Sequence, residues 1–234
     1  MPEVISREEL EKRLAALVGE ELRQQLNELM RLLGDPPDLS KVTPEYWQNG
    51  GAQLREKVQP VLQEIYLTQA RAQLVDAQVQ LAGTELRFNW DLVNQTAVDW
   101  ASGYTFDMVK DLLELSRQRL QEAVSEYYES PTTIGELIEE ISPEFGAIRA
   151  EKIAVTEVTR SAVEGEQGTV DQLLEENPGI EVIDYWLTNR DEKVCKLCAP
   201  RHNQPRGTLW TKNPPAHPVC RCGVRRDFRR RKAE

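Results

Sequence analysis

The apolar positions of the first stretch of the chain recur in steps of three and four. Leu10, Leu14, Leu17, Val18, Leu22, Leu26, Leu29, Met30 and Leu33 fall on one face of a helix of about seven turns. Ser6-Arg7-Glu8-Glu9 spells a capping box before them. Gly34-Asp35-Pro36-Pro37 stops the run, because glycine accepts a left-handed cap and proline cannot continue the hydrogen bonding. The stripe is read as a core face in preference to a seam for a partner helix. Residues 35–51 read as a connector, with one short turn after Thr43-Pro44. Helical periodicity resumes over about 52–82 and 84–102, divided at Gly83. It continues over Thr105–Glu129, where Val109, Leu112, Leu113, Leu120, Val124 and Tyr127 share a side. Thr133-Ile134-Gly135-Glu136 spells a second capping box. Ser142-Pro143 opens a further helix whose inward face reads Phe145, Ile148, Ile153, Val158 and Ala162.

Past Gly165 the texture changes. Gln167-Gly168-Thr169 and Asn177-Pro178-Gly179 read as breakers around a short helical segment. Ile180 to Leu187 is β-branched and aromatic, as a strand requires, and Val219 to Phe228 can form a second one. The pattern predicts a mainly α protein, a long-helix body followed by a small C-terminal α+β module with a zinc site. Its parts are an N-terminal amphipathic helix (1–34), the connector (35–51), a helical body (52–168), the Cys/His module (169–224) and a basic tail (225–234).

Composition narrows the class. Hydrophobic residues make up 40% and charged ones 29% of 234 residues, too apolar for general disorder. No run of about 18 apolar residues occurs, so no membrane span is expected. The opening MPEVISREELEKR has neither a basic start nor an apolar run, so no secretion signal is expected. Four cysteines in an unexported chain argue against a disulfide framework. The net charge of −10 divides into −19 for Met1 to Asn189 and +9 for Arg190 to Glu234. Such asymmetry bears on partners, not on fold.

All four cysteines and one of the two histidines fall within 28 residues, as Cys195-x2-Cys198 and His217-x2-Cys220-x-Cys222. Each short spacing brings two donors to one ion, and together they supply a tetrahedral set of sulfur and nitrogen for Zn²⁺. The competing readings are a Cys195–Cys198 or Cys198–Cys220 disulfide, and free thiols with no ion. Five donors compete for four places; the predicted ligands are Cys195, Cys198, His217 and Cys220, with Cys222 as the alternate. His202 reads as a polar loop residue. Four available protein ligands favour a closed, structural ion over a catalytic one, which needs an open position and a general base.

Arg221, Arg225, Arg226, Arg229, Arg230, Arg231 and Lys232 place seven cations in twelve residues. As a solvated tail they form a phosphate- or partner-contacting arm, whose affinity for DNA would fall with salt at a logarithmic slope of roughly −6. Such an arm positions phosphates without reading sequence. An acidic protein surface would serve it equally. No Gly-rich phosphate loop, G-x-S-x-G or H-E-x-x-H occurs. Glu157 and Arg160, three apart on a helix, read as a local ion pair. No catalytic residue is assigned.

Four separated segments carry a resemblance. Arg149-Ala150-Glu151-Lys152-Ile153-Ala154-Val155-Thr156-Glu157 comes first, then Tyr185-Trp186-Leu187-Thr188 with Asp191. Val194-Cys195-Lys196-Leu197-Cys198 and Pro214-Pro215-Ala216-His217-Pro218-Val219-Cys220-Arg221-Cys222 follow. In this order they resemble the phage Mu protein F-like family, the minor head or head morphogenesis proteins of tailed bacteriophages. The resemblance covers roughly 90–224; residues 1–90 resemble nothing comparable. It departs at Val155, where a polar residue is expected. It implies a non-enzymatic virion component inside the head near the portal, present in the host cytoplasm during assembly. Its implied partners are the portal protein, capsid or scaffold protein, and packaged DNA through the basic end. The reading from residues alone leaves a second possibility, a zinc-stabilised nucleic-acid-binding protein that is no part of a virion.

Overall fold

Both capping boxes close as spelled. The computed structural model describes residues 6–130, 133–189 and 192–231. In it the Ser6 side chain accepts from the Glu9 backbone N–H, and the Glu9 carboxylate accepts in return from Ser6 N–H, opening helix α1 (Arg7–Leu33). Thr133 and Glu136 repeat the arrangement at α4 (Ile134–Ile141). The other helices are α2 (Pro44–Gln80), α3 (Trp90–Glu129) and α5 (Ala147–Glu176), with a 3-10 turn at Ser142–Phe145 before α5. Strands β1 (Ile180–Leu187) and β2 (Gly223–Arg230) pair antiparallel. The chain is mainly helical, with long helices and a small C-terminal two-stranded sheet.

Two compact units result: Met1–Val61 with Ala101–Ala154, and Leu62–Trp100 with Val155–Glu234. In the first, the α1 stripe is core: Leu10, Leu14, Val18, Leu22, Leu29 and Leu33 are buried. Two buried polar residues on the same helix reach α2. Glu21 pairs with Lys57 at 2.6 Å, and Gln25 donates to the Gly50 carbonyl at 3.1 Å. Arg149 ties α5 to α3 by donating to Ser116 Oγ at 2.7 Å and to the Leu112 carbonyl at 3.1 Å.

Several expected boundaries move, each for a local reason. The connector 35–51 ends early, because Pro44 takes the first helical position and Tyr46 N–H bonds the Thr43 carbonyl. Gly50-Gly51 does not interrupt α2; a side chain at Gly51 would meet Leu113 Cδ1 at 2.8 Å, so the glycine serves close packing. The segments 84–102 and 105–129 are one helix from Trp90, since one glycine such as Gly103 costs about 1 kcal/mol, too little to break a long helix. Ile148 is 72% exposed rather than inward; the buried face of α5 is set by Ala150, Ala154, Val155 and Val158. Gln167-Gly168-Thr169 does not break α5 either. A Cβ at Gly165 would overlap the backbone of Tyr66 in α2 and one at Gly168 its side-chain hydroxyl, so these glycines let the two helices approach closely.

In the second unit the sheet is covered on one face. Ile180 and Phe228 pack with Leu74, Ala77 and Leu81 of α2 and with Val170 and Leu173 of α5. A lone two-stranded ribbon is marginal in water, and its edges invite further pairing. Here Gln80 substitutes for a neighbouring strand: its side chain donates to the Arg226 carbonyl and accepts from Phe228 N–H, both at 2.8 Å. On the other edge, Asn203 N–H bonds the Trp186 carbonyl and Trp186 N–H bonds that of Gln204.

The basic tail expected over 225–234 is instead largely strand β2. Val224, Arg226 and Phe228 point inward and are buried, while Arg225 and Arg229 alternate outward. The second strand, expected over Val219 to Phe228, begins later, at Gly223, and runs on to Arg230, so it takes in most of the residues read as tail. Lys232 lies outside the described residues, as does Asp191. Among the described residues, no helix is long and apolar enough to cross a membrane.

Candidate metal centre

Two turns of the same kind present the donors. Cys198 N–H bonds the Cys195 carbonyl at 3.1 Å, and Cys220 N–H bonds the His217 carbonyl at 3.2 Å. Each i to i+3 closure folds a x2 spacing into a knuckle, so both pairs project from the concave side of their turns. The cysteines are all free thiols, which excludes both disulfide pairings in this structure.

The knuckles converge. Cys195 Sγ lies 3.1 Å from His217 Nε2, Cys198 Sγ 3.4 Å from the same nitrogen, and Cys198 Sγ 3.9 Å from Cys220 Sγ. In a tetrahedral site with Zn–S near 2.3 Å and Zn–N near 2.0 Å, donors stand about 3.3–3.8 Å apart, so these separations fit one small ion. Two overlapping triads form, Cys195/Cys198/His217 and Cys198/Cys220/Cys222, and Cys198 belongs to both. The cavity between them is about 30 Å³, room for an ion or one water and nothing larger. The predicted ligands and the alternate Cys222 all fall in these two triads, but the predicted four are divided between them, Cys220 standing with Cys222 and not with Cys195 and His217. They could hold a metal ion.

The electrostatics prepare sulfur for that role. Burial alone would raise the Cys195 thiol, but N–H groups of Cys198 and Leu197 and the Cys198 side chain outweigh it and lower it. A hydrogen bond from Cys222 pulls Cys220 down to about 5 against its burial, with backbone help from Ala216 and Cys222. Burial and the thiolate at Cys220 push Cys198 up to about 12. By donating to Cys220, Cys222 itself is driven above the ordinary thiol range. The His217 tautomer is fixed by geometry: Nδ1 stands 2.8 Å from the Pro218 carbonyl, which can only accept. Nδ1 therefore carries a proton, and Nε2 is the nitrogen that faces the sulfurs.

The centre is built into the core. Trp186, Trp210, Val163 and Val224 surround Cys198, Cys220 and Cys222. Two threonines of α5 reach the second knuckle. Thr156 Oγ1 accepts from Val219 N–H at 2.9 Å, and Thr159 Oγ1 stands 2.6 Å from the Cys220 carbonyl. Sequence reasoning missed both; the segment's Thr-Glu-x-Thr spelling was the only signal. His202, read as a loop residue, stands apart from the centre, its Nδ1 accepting from Thr188 N–H at 3.1 Å. Glu157 and Arg160 form the expected local pair at 3.5 Å.

The arginines assigned to partner contact divide. Arg226 is withdrawn from that set: its side chain is sealed inside, bonded to Glu166 at 2.6 Å and Gln73 at 3.1 Å. Arg225 stacks over Tyr185 at 4.5 Å, Arg229 pairs with Glu181 at 2.7 Å, and Arg230 donates to Thr84 Oγ1 at 2.8 Å. These three and Arg231 are exposed, on a strand or just after it rather than on a free arm. A much larger cleft, about 780 Å³, lies in the first unit between α2 and α3, lined by Trp47, Phe106, Val109 and Leu113. No cysteine or histidine lines it, so volume does not mark the chemistry here.

The chain matches no protein-family model, no curated protein and no solved structure.

Proposed function

We propose that this protein is a minor head protein of a tailed bacteriophage, a non-enzymatic assembly component acting at the portal vertex in head assembly, DNA packaging or DNA delivery. One observation carries the reading. The segments on which the resemblance rests are separate in sequence, yet all four meet at the metal centre. Thr156 bonds Val219, Trp186 packs on the cysteines, and Cys198 of the first knuckle also belongs to the triad of Cys220 and Cys222. A chance collection of short motifs would have no reason to assemble into one module.

Zn²⁺ is the ion this donor set suits, held by Cys195, Cys198, His217 and Cys220. Bound there, it supplies a cross-link of on the order of 10 kcal/mol in a loop with little core of its own. Cys222 serves Cys220 as a hydrogen-bond donor. The cavity admits no substrate beside an ion, which supports a structural role. Portal and capsid or scaffold proteins are the proposed partners, with packaged DNA contacted through Arg225, Arg229, Arg230 and Arg231.

A second reading rests on the +9 balance of residues 190–234: a zinc-stabilised nucleic-acid-binding protein outside any virion. Co-expression with the cognate portal protein separates the two. Co-purification through size exclusion supports the head protein. Loss of the portal with retention of salt-sensitive DNA binding supports the second reading.

A further inference from the structure

Between His217 and Cys220 the chain does something costly. Val219 has φ of 64°, in the left-handed region where a β-branched side chain is strained. That residue is 37% exposed and so is not part of the buried core. The conformation serves the turn: it lets the Cys220 N–H reach back to the His217 carbonyl and so points the imidazole and the sulfur at one place.

What holds the strained residue lies on another element. Thr156 Oγ1 accepts from Val219 N–H at 2.9 Å, and Thr159 Oγ1, 2.6 Å from the Cys220 carbonyl, donates to it. The two hydroxyls are three residues apart on α5, about one turn of helix, and grip the peptide group that precedes Val219 and the one that follows Cys220. Thr159 is fully buried, and its hydroxyl is also 2.9 Å from the Val155 carbonyl, which fixes its rotamer. The helix is thus a rigid rail with two hydrogen-bonding groups spaced to match one strained turn.

We propose that Thr156 and Thr159 are positioning residues of the metal centre, holding the His217–Cys220 knuckle in its ligating conformation before an ion arrives. The proposal rests on the metal reading above and adds residues outside the ligand set. Outer partners of this sort commonly change metal affinity 10–100-fold when removed, because the ligands must then be organised at the expense of binding.

The test uses the full chain and Co²⁺, whose thiolate charge-transfer band reports sulfur ligation, with Zn²⁺ affinity from competition against a chromophoric chelator. Wild type, Thr156→Val, Thr159→Val, Thr156→Ser and Thr159→Ser are compared, with far-UV circular dichroism of the metal-free forms. The valine variants are expected to bind Zn²⁺ 10–100-fold more weakly with the metal-free helical signal and melting temperature retained, and the serine variants to recover to within about threefold of wild type. Valine variants within twofold of wild type overturn the proposal. So does a fall in melting temperature equal with and without metal, which marks a purely structural role. Wild-type protein that gives no thiolate band overturns the metal reading itself and this inference with it, a result visible before any variant is made.

Discussion

Arg226 stands directly across the β1–β2 ladder from Asp184, with its side chain sealed from solvent and its Nε 3.7 Å from Asp184 Oδ1. Asp184 is held from the other side by Arg206, at 2.9 Å from Nε and 2.7 Å from Nη2. Glu166 completes the compensation of the buried guanidinium at 2.6 Å. Removing one partner of such a network leaves the others charged and dry.

Arg226→Ala is accordingly expected to destabilise the protein by about 3–5 kcal/mol. Arg225→Ala and Arg229→Ala, whose side chains are exposed, should each cost under about 1 kcal/mol. Urea denaturation of the three variants checks this. An Arg226→Ala midpoint indistinguishable from that of Arg229→Ala would return residue 226 to the surface.

Two glycines of helices predict opposite signs. A Cβ at Gly165 would lie 2.1 Å from the Tyr66 carbonyl oxygen, a backbone atom that cannot step aside. Gly165→Ala should therefore cost about 2 kcal/mol or more, or separate α5 from α2 locally. Gly103, inside α3, has nothing within 4 Å of the same position. Gly103→Ala should stabilise by about 0.5–1 kcal/mol through helix propensity alone. Thermal melts of the pair decide it; equal effects would mean that contact at Gly165 is not what the residue is for.

The same glycines mark the limit of what the sequence discloses. Capping located the starts of α1 and α4 to the residue, because Ser6/Glu9 and Thr133/Glu136 act through local hydrogen bonds that neighbours alone determine. Gly50-Gly51 and Gly168 carry the same letter as a breaker, yet their role depends on Leu113 and Tyr66, distant in the chain. Only the assembled packing distinguishes the two uses. The ligand set was legible since all five donors lie within 28 residues at spacings that turns can close. Thr156 and Thr159 were not, because a hydroxyl on a helix names no partner until the second knuckle comes to rest beside it.

Cys198 is the donor common to both triads, and Cys222, the alternate in the proposed ligand set, stands beside Cys220 in the second. Cys198→Ser should abolish tight metal binding, and Cys222→Ser should keep about one equivalent with affinity reduced less than the ligand variants. Chelation of wild-type protein should lower its melting temperature, and the drop should shrink at lower pH, where protons compete with the ion for the thiolates. Elemental analysis after gel filtration gives the stoichiometries. Retention of metal by Cys198→Ser would exclude a single shared ion.

Alkaline stability follows from Tyr66. Burial, reinforced by the carboxylates of Glu164 and Asp171, pushes its phenol up to about 12 from an ordinary 10. The folded state therefore holds a proton between pH 10 and 12 that the unfolded chain has released. Stability from this group is fully present below about pH 10 and declines as pH rises towards 12, by about 2–3 kcal/mol over the window. Tyr46 in the first unit is raised as well, chiefly by burial, and adds a slope of the same sign. Tyr66→Phe should thus flatten, without abolishing, the fall in unfolding free energy over that range. Chemical denaturation at pH 8, 10 and 11.5, with tyrosinate absorbance followed in parallel, measures it. Identical slopes for wild type and Tyr66→Phe would show that the Tyr66 phenol ionises no later in the folded chain than in the unfolded one.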